Sequence, residues 1–297
     1  MKKTLTIGIA AYNEERNILN IINDIFAQDN TTFTLKKVIV LSDGSSDNTV
    51  NKAKSVKNSK LLLIDSKDRL GKPARINQIF KLCHTDMVII FDADIRLETR
   101  NIINELIKPL IEDSSIQLSS GIVSPKKPTN LIQKVAKIGV DIWYDCRIIN
   151  NSTGLYWCDG SLRAFGKELY KNILFPNASA DEAFSYLYCI GKGYKFASVK
   201  SAVGINVLPS TFSDYLRQIK RYLLSESIQK NNFEDNFVTK NYNIGFKLKN
   251  YILLKYLIRK PYLTILYLVI TFLARLLYII DPNDEVKWKI LTSTKQS

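Results

Sequence analysis

Two carboxylates one residue apart, Asp92 and Asp94, follow the apolar run Met87-Val88-Ile89-Ile90-Phe91. Alternation along an extended chain turns both side chains the same way, so they present hard oxygen ligands suited to one divalent cation, the usual partner of a diphosphate. Read alone, the same pair would serve equally well as a turn or a helix cap. A second acidic pair, Asp181-Glu182, opens a helical pattern, where the dipole favours negative charge. His84 is the sole histidine, so a general base in this chain is expected to be a carboxylate. Lys72, just ahead of a helix N-terminus, is placed to meet phosphate oxygens through charge and dipole together. Asp43 and Glu14, on the loops after the first two strand patterns, are acceptors suited to the N–H edge of a nucleotide base, although Asp43 could instead close an Asx-turn over Gly44-Ser45. Gln218 and Arg221 lie three apart on one helix face, where they can reach a diphosphate or an acceptor chain.

The elements that must position these groups follow from the hydrophobic pattern. Leu5–Ala11, Lys37–Leu41, Leu61–Ile64 and Met87–Phe91 have the length and branched apolar content of buried strands. Helical stripes separate them: Asn13 is expected to cap a helix carrying Ile18, Ile21, Ile22, Ile25 and Phe26, and Gly71-Lys72-Pro73 opens another through about Cys83. Strand and helix thus alternate four times in the first hundred residues, which predicts an α/β fold, a parallel, helix-covered sheet with ligands at the carboxyl ends of its strands. Beyond it the pattern predicts helices over about Thr99–Ile111 and Leu131–Ile149, a strand over Ile116–Val123, and a glycine-punctuated strand region over Trp157–Arg163. A helix then runs from Ala180-Asp181-Glu182 to near Gly191, and another is capped by Thr211.

In order along the chain, Ile9-Ala10-Ala11-Tyr12-Asn13-Glu14-Glu15, Ser42-Asp43-Gly44-Ser45-Ser46-Asp47-Asn48-Thr49, Gly71-Lys72-Pro73-Ala74-Arg75-Ile76-Asn77, Asp92-Ala93-Asp94, Asp181-Glu182 and Gln218-Ile219-Lys220-Arg221-Tyr222 resemble the motifs of the family 2 glycosyltransferases of GT-A fold. The resemblance covers roughly residues 4 to 225. It implies a GT-A, Rossmann-like, mixed and mainly parallel sheet and an inverting transfer of a sugar from a nucleotide diphosphate sugar to an acceptor hydroxyl. It further implies that Ala11, Tyr12, Glu14 and Asp43 line a uridine pocket, that Asp94 ligates Mg2+ or Mn2+, and that Asp92 contacts ribose or metal. Glu182 aligns with the catalytic base, with Asp181 as the fallback. The family more often shows Glu before Asp, tryptophan where Tyr222 stands, proline at Ala10 and aspartate at Ser42. Asp159-Gly160-Ser161 and Arg163 sit where the family's acceptor-facing strand would be.

The chain has 297 residues and a formal net charge of +14, which points to an anionic partner. Cysteines 83, 146, 158 and 189 show no metal-ligand spacing and suit a reducing cytosol. The apolar stretch at the N-terminus is too short for a secretory signal. Residues 1–235 are expected to form the catalytic domain and 236–297 a basic, apolar segment. Within the latter, 261–280 matches a bilayer core in length and is apolar except for Arg275; Lys247, Lys249, Lys255, Arg259 and Lys260 precede it. A single span and an in-plane helix both fit this pattern. Either predicts an enzyme on the cytoplasmic face of the cell membrane, using a lipid-linked or glycan acceptor for cell-surface polysaccharide, glycolipid or polyprenyl-linked glycan. These basic residues flank an apolar run instead of interleaving with aromatic platforms, which argues against nucleic acid. A processive synthase and a catalytically silent membrane scaffold of the same fold are the rival readings.

Overall fold

The computed structural model describes residues 2–149, 154–177, 180–280 and 292–295. The first half runs β1 (Lys3–Ala11), α1 (Ile18–Phe26), β2 (Phe33–Asp43), α2 (Thr49–Ser55), β3 (Leu61–Ser66), α3 (Lys72–Leu82), β4 (Met87–Asp92), α4 (Ile102–Glu112) and β5 (Ile116–Pro125). The second continues through α5 (Leu131–Ile149), β6 (Leu162–Gly166), α6 (Lys167–Asn172), α7 (Asp181–Gly191), β7 (Lys195–Asn206) and α8 (Phe212–Lys230). Three further helices follow, α9 (Asp235–Tyr242), α10 (Phe246–Arg259) and α11 (Pro261–Ile280).

The strands form one sheet in the order β3-β2-β1-β4-β6-β5-β7. All neighbours are parallel except β6, which runs antiparallel to both β4 and β5. Strand β4 lies between β1 and β6, and Met87 to Phe91 are all buried, as a run apolar on both faces requires. One core cluster, including Ile7, Ile9, Ile89 and Phe91, packs under α1 and α4; the other, including Val88, Ile90, Ile76 and Ile79, packs under α3 and α7. Gly8 permits the second contact: a Cβ there would stand 2.6 Å from Ile79 Cγ2, so any side chain would push the Ile79 packing of α3 away from β1.

Two expectations change at that edge. Asn13 does not cap α1, which begins at Ile18 after Asn17. Asn13 has φ 52°, and its Oδ1 accepts from Ser46 N at 2.8 Å while its own N–H donates to Ser45 Oγ. The side chain staples the β1 loop to the β2 loop, so residues 14–17 form a turn and not the first helical turn. The strand region expected at Trp157–Arg163 is likewise displaced. Leu155–Trp157 form a short 3-10 turn, and the strand is Leu162–Gly166, where antiparallel pairing with Met87–Phe91 is available. Strand β7 carries no clean alternation, because its register against β5 shifts partway along.

Candidate active site

Asp92 ends β4 and Asp94 follows it, both half-buried at the carboxyl edge of the sheet. Facing them is Lys72, the first residue of α3. The residue before it, Gly71, has φ 93°, a left-handed conformation that any side chain would strain. This turn swings the lysine over the strand ends. Lys72 Nζ stands 2.6 Å from Asp92 Oδ1 and 3.4 Å from Asp181 Oδ2, and donates to the carbonyl of Gly160 at 3.1 Å. Asp181 also accepts from Arg163 Nη2. Arg163, fully buried in β6, donates through Nη1 to the Asp181 carbonyl at 2.9 Å and to Ser185 Oγ at 2.6 Å. One ionic chain, Asp92–Lys72–Asp181–Arg163, therefore ties β4, α3, α7 and β6 together.

The two carboxylates of Asp181-Glu182 are separated electrostatically by this chain. Burial works against ionising Asp181, but Lys72 and Arg163 outweigh it and hold its carboxyl below the usual range. Burial and the neighbouring Asp181 charge push Glu182 the other way, above the usual range. Burial likewise disfavours the Lys72 ammonium, yet Asp181 and Asp92 reverse that and raise it. Among the described residues Glu182 joins none of the ion pairs. Its Oε2 lies 3.4 Å, and Lys72 Nζ 3.7 Å, from the point where a Cβ on Gly160 would sit, so the two groups meet over a residue with no side chain. Adjacent titratable groups driven apart in this way are a frequent property of acid–base sites.

The predicted nucleotide pocket is organised differently from expectation. Ala11 is buried at the end of β1, and Tyr12 lies under the Arg69 guanidinium, 4.0 Å from ring centroid to Cζ. Glu14 is turned inward, 8% exposed, with Oε2 accepting from Asn17. Asp43 is 4% exposed and clamps the loop that follows β3: Oδ1 accepts from Leu70 N at 2.7 Å and Arg75 Nε at 2.6 Å, and Oδ2 from Gly71 N at 2.9 Å. A carboxylate offers about four lone-pair sites, so roughly one is left over for a base. The clamp's main effect is to hold Gly71, and through it Lys72. Asp43→Ala should leave the Arg75 guanidinium, 1% exposed, without its carboxylate and cost about 3–5 kcal/mol of stability. Urea unfolding would show it, and an unchanged midpoint would remove Asp43 from the clamp.

Gln218 and Arg221 lie on α8, and Gln218 Nε2 donates to Tyr222 Oη at 3.2 Å. Tyr222 of α8 is within electrostatic reach of Asp159 and Glu182, and Arg147 of α5 is within reach of Asp159. Sequence reading gave Arg147 no role and set Arg163 on the acceptor-facing strand, whereas its side chain is fully buried against Asp181. For Arg163 a signal existed, since a charged residue inside Leu162-Arg163-Ala164-Phe165 must be paired if that run is a buried strand.

The donor set fits a hard divalent cation completed by substrate oxygens. Among the described residues no three His, Cys, Asp or Glu side chains form a cage by themselves, and Asp92 and Asp94 offer only carboxylate oxygen. One or two carboxylates plus phosphate oxygens is how Mg2+ is commonly held.

The sequence profile described as "Glycosyl transferase family 2" matches residues 6–174. A poly-beta-1,6-N-acetyl-D-glucosamine synthase of Staphylococcus aureus is 32% identical over 91 residues, 30% of this chain and 21% of the relative. The matched segment thus spans about a fifth of that protein. Among solved structures, a mannosyltransferase from Pyrobaculum calidifontis, in complex with GDP-Man and Mn2+, superposes with TM-score 0.63 at 18% identity, covering 95% of this chain and 82% of the other. Glucosyl-3-phosphoglycerate synthase from Mycobacterium tuberculosis, in complex with Mn2+, UDP and phosphoglyceric acid, gives TM-score 0.55 at 18% identity over 75% of this chain and 77% of the other. These likenesses show a shared GT-A fold, and with the profile match over more than half of its length the chain belongs to glycosyl transferase family 2.

Proposed function

We propose that this glycosyltransferase is an inverting hexosyltransferase that uses a nucleotide diphosphate sugar, with UDP-sugar the first candidate, and a hydroxyl on a lipid-linked or glycan acceptor. The observation that carries the reading is the split of Asp181 and Glu182: one is locked between Lys72 and Arg163, while the other joins no ion pair among the described residues and is raised in pKa beside the same lysine.

In this mechanism Glu182 takes the proton of the acceptor hydroxyl as that oxygen bonds to the anomeric carbon. The bond from that carbon to the diphosphate breaks on the opposite face, the diphosphate keeps the electron pair, and configuration inverts. Lys72, at the N-terminus of α3, meets the charge that develops on the leaving group. Asp94, with Asp92, would hold Mg2+ or Mn2+, which supplies Lewis-acid neutralisation of the diphosphate when bound. Tyr12, Ala11 and the last acceptor site of Asp43 flank the nucleotide base. Gln218 and Arg221 face the acceptor or the diphosphate. Residues 1–235 are the catalytic unit on this reading, and the helices after it associate with the cytoplasmic face of the membrane.

The test is a binding and hydrolysis screen of uridine, guanosine and cytidine diphosphate sugars with and without Mn2+. Metal-dependent binding of one donor is expected, and Asp94→Ala should abolish the metal dependence while the fold, followed by circular dichroism, persists. A folded protein that binds none of them would overturn the proposal and favour a silent scaffold. The 91-residue similarity to a polymer synthase favours a processive reading as second choice. Product length distinguishes it, since one sugar per acceptor excludes processivity. Among the described residues only Pro261–Ile280 is long and apolar enough to cross a membrane.

A further inference from the structure

Resting on the membrane association proposed above, we infer that α11 lies in the plane of an anionic lipid surface and does not cross it. One face of α11 is seated on the catalytic unit. Thr264, Ile270 and Ala274 are buried, and Leu263, Leu266 and Tyr267 pack with Val135 and Ala136 of α5 and with Tyr215 and Ile219 of α8. The contact spans Leu263 to Ala274, about 16 Å of helix at 1.5 Å per residue, so the helix runs along the protein and does not leave it end-on. The opposite face is apolar and open to solvent: Tyr262, Ile265, Val269, Phe272 and Leu276 are all exposed.

Helix α10 repeats the arrangement. Ile252 is buried and Leu248, Leu253 and Tyr256 pack towards Ile138 and Ile142 of α5, while Tyr251, Leu254 and Ile258 form an outward stripe at helical spacing. Two consecutive helices thus dock by one apolar face and leave a second one uncovered.

Both ends of α11 return to the same body. Its N-terminus follows α10, whose Lys255 pairs with Asp145 of α5 at 2.7 Å. Beyond its C-terminus, Ser293 is buried, its N–H donates to Asp214 Oδ2 at 2.9 Å, and its Oγ accepts from Ser210 N at 3.1 Å, at the start of α8. A spanning α11 would put Ser293 across the bilayer from Asp214 unless residues 281–291 came back through it. That stretch carries Asp281, Asp284, Glu285, Lys287 and Lys289, each expensive at bilayer depth.

The charge identifies the occupant. Residues 236–280 contain Lys240, Lys247, Lys249, Lys255, Arg259, Lys260 and Arg275 and no aspartate or glutamate. Lys247, Lys249, Arg259 and Lys260 are exposed beside the apolar stripes. Basic residues beside an apolar helix face are the composition of an interfacial helix on anionic lipid. Because α11 rests on α8, which carries Gln218 and Arg221, the same surface would bring a membrane-borne acceptor to the border of the site.

The four native cysteines are buried, so an added one reports alone. In sealed membrane vesicles from a bacterial host expressing the full chain, Ser297→Cys and Lys57→Cys should react with an impermeant maleimide from the same face. Labelling from opposite faces would establish a span and overturn the inference while leaving membrane association intact. In parallel, the purified full chain should float with phosphatidylglycerol-containing vesicles and not with pure phosphatidylcholine. Each of Lys247→Ala and Lys260→Ala should weaken that binding about fivefold. A chain that binds neither vesicle, or that pairs its apolar face in a stable dimer instead, would overturn the inference together with the membrane reading, a result separate from opposed labelling.

Discussion

Replacing Glu182 with glutamine is expected to lower sugar transfer about 10²–10⁴-fold, the range general-base catalysis contributes, while leaving donor affinity within about twofold. Glutamine keeps the shape beside Gly160 and removes only the proton acceptor. The pH profile supplies an independent reading. Glu182 must be ionised to act, and burial together with Asp181 raises its pKa, so the acid limb of kcat/KM should fall at a pH above the ordinary glutamate range. Transfer is lost as pH drops through that raised pKa, and in Glu182→Gln the limb should vanish along with most of the rate. If Asp181→Asn reproduced both effects and Glu182→Gln neither, the base would be Asp181. The geometry disfavours that outcome, because Lys72 and Arg163 already occupy the Asp181 carboxylate.

The second large effect is expected at Arg163. Methionine there fills a similar volume but leaves Asp181 buried with Lys72 as its single cation, and breaking a buried pair from one side costs about 3–5 kcal/mol. The sign of its pH dependence follows from the lowered pKa of Asp181. The stability this carboxylate contributes is present above its unfolded-state pKa and is lost as pH falls through the folded-state value. Unfolding free energy measured from neutral towards acid pH should therefore fall in the parent chain by more than in Arg163→Met. Adding Asp181→Asn to Arg163→Met should recover part of the loss, since it removes a buried carboxylate left with one of its two cations. A parent-like Arg163→Met protein would mean that the network contributes little.

Sequence alone determined the alternating α/β order, the burial of Met87–Phe91 and the helices over Leu131–Ile149 and Pro261–Ile280, because each is written in local apolar periodicity. It also placed Asp92, Asp94, Lys72, Asp181 and Glu182 in motifs whose order is that of the family. Tertiary structure decided what those motifs touch. Asn13 reads as a cap until the Ser46 amide claims it, and Glu14 and Asp43 gain partners in Asn17 and Arg75 that no local pattern announces. Asp181 and Glu182 are neighbouring acids in the sequence, and only the arrival of Lys72, from more than a hundred positions earlier, together with Arg163 makes Asp181 a fixed anion and gives Glu182 the opposite pKa shift. Local periodicity fixes which residues are buried, but electrostatic environment depends on charges that only the folded chain brings within a few ångströms.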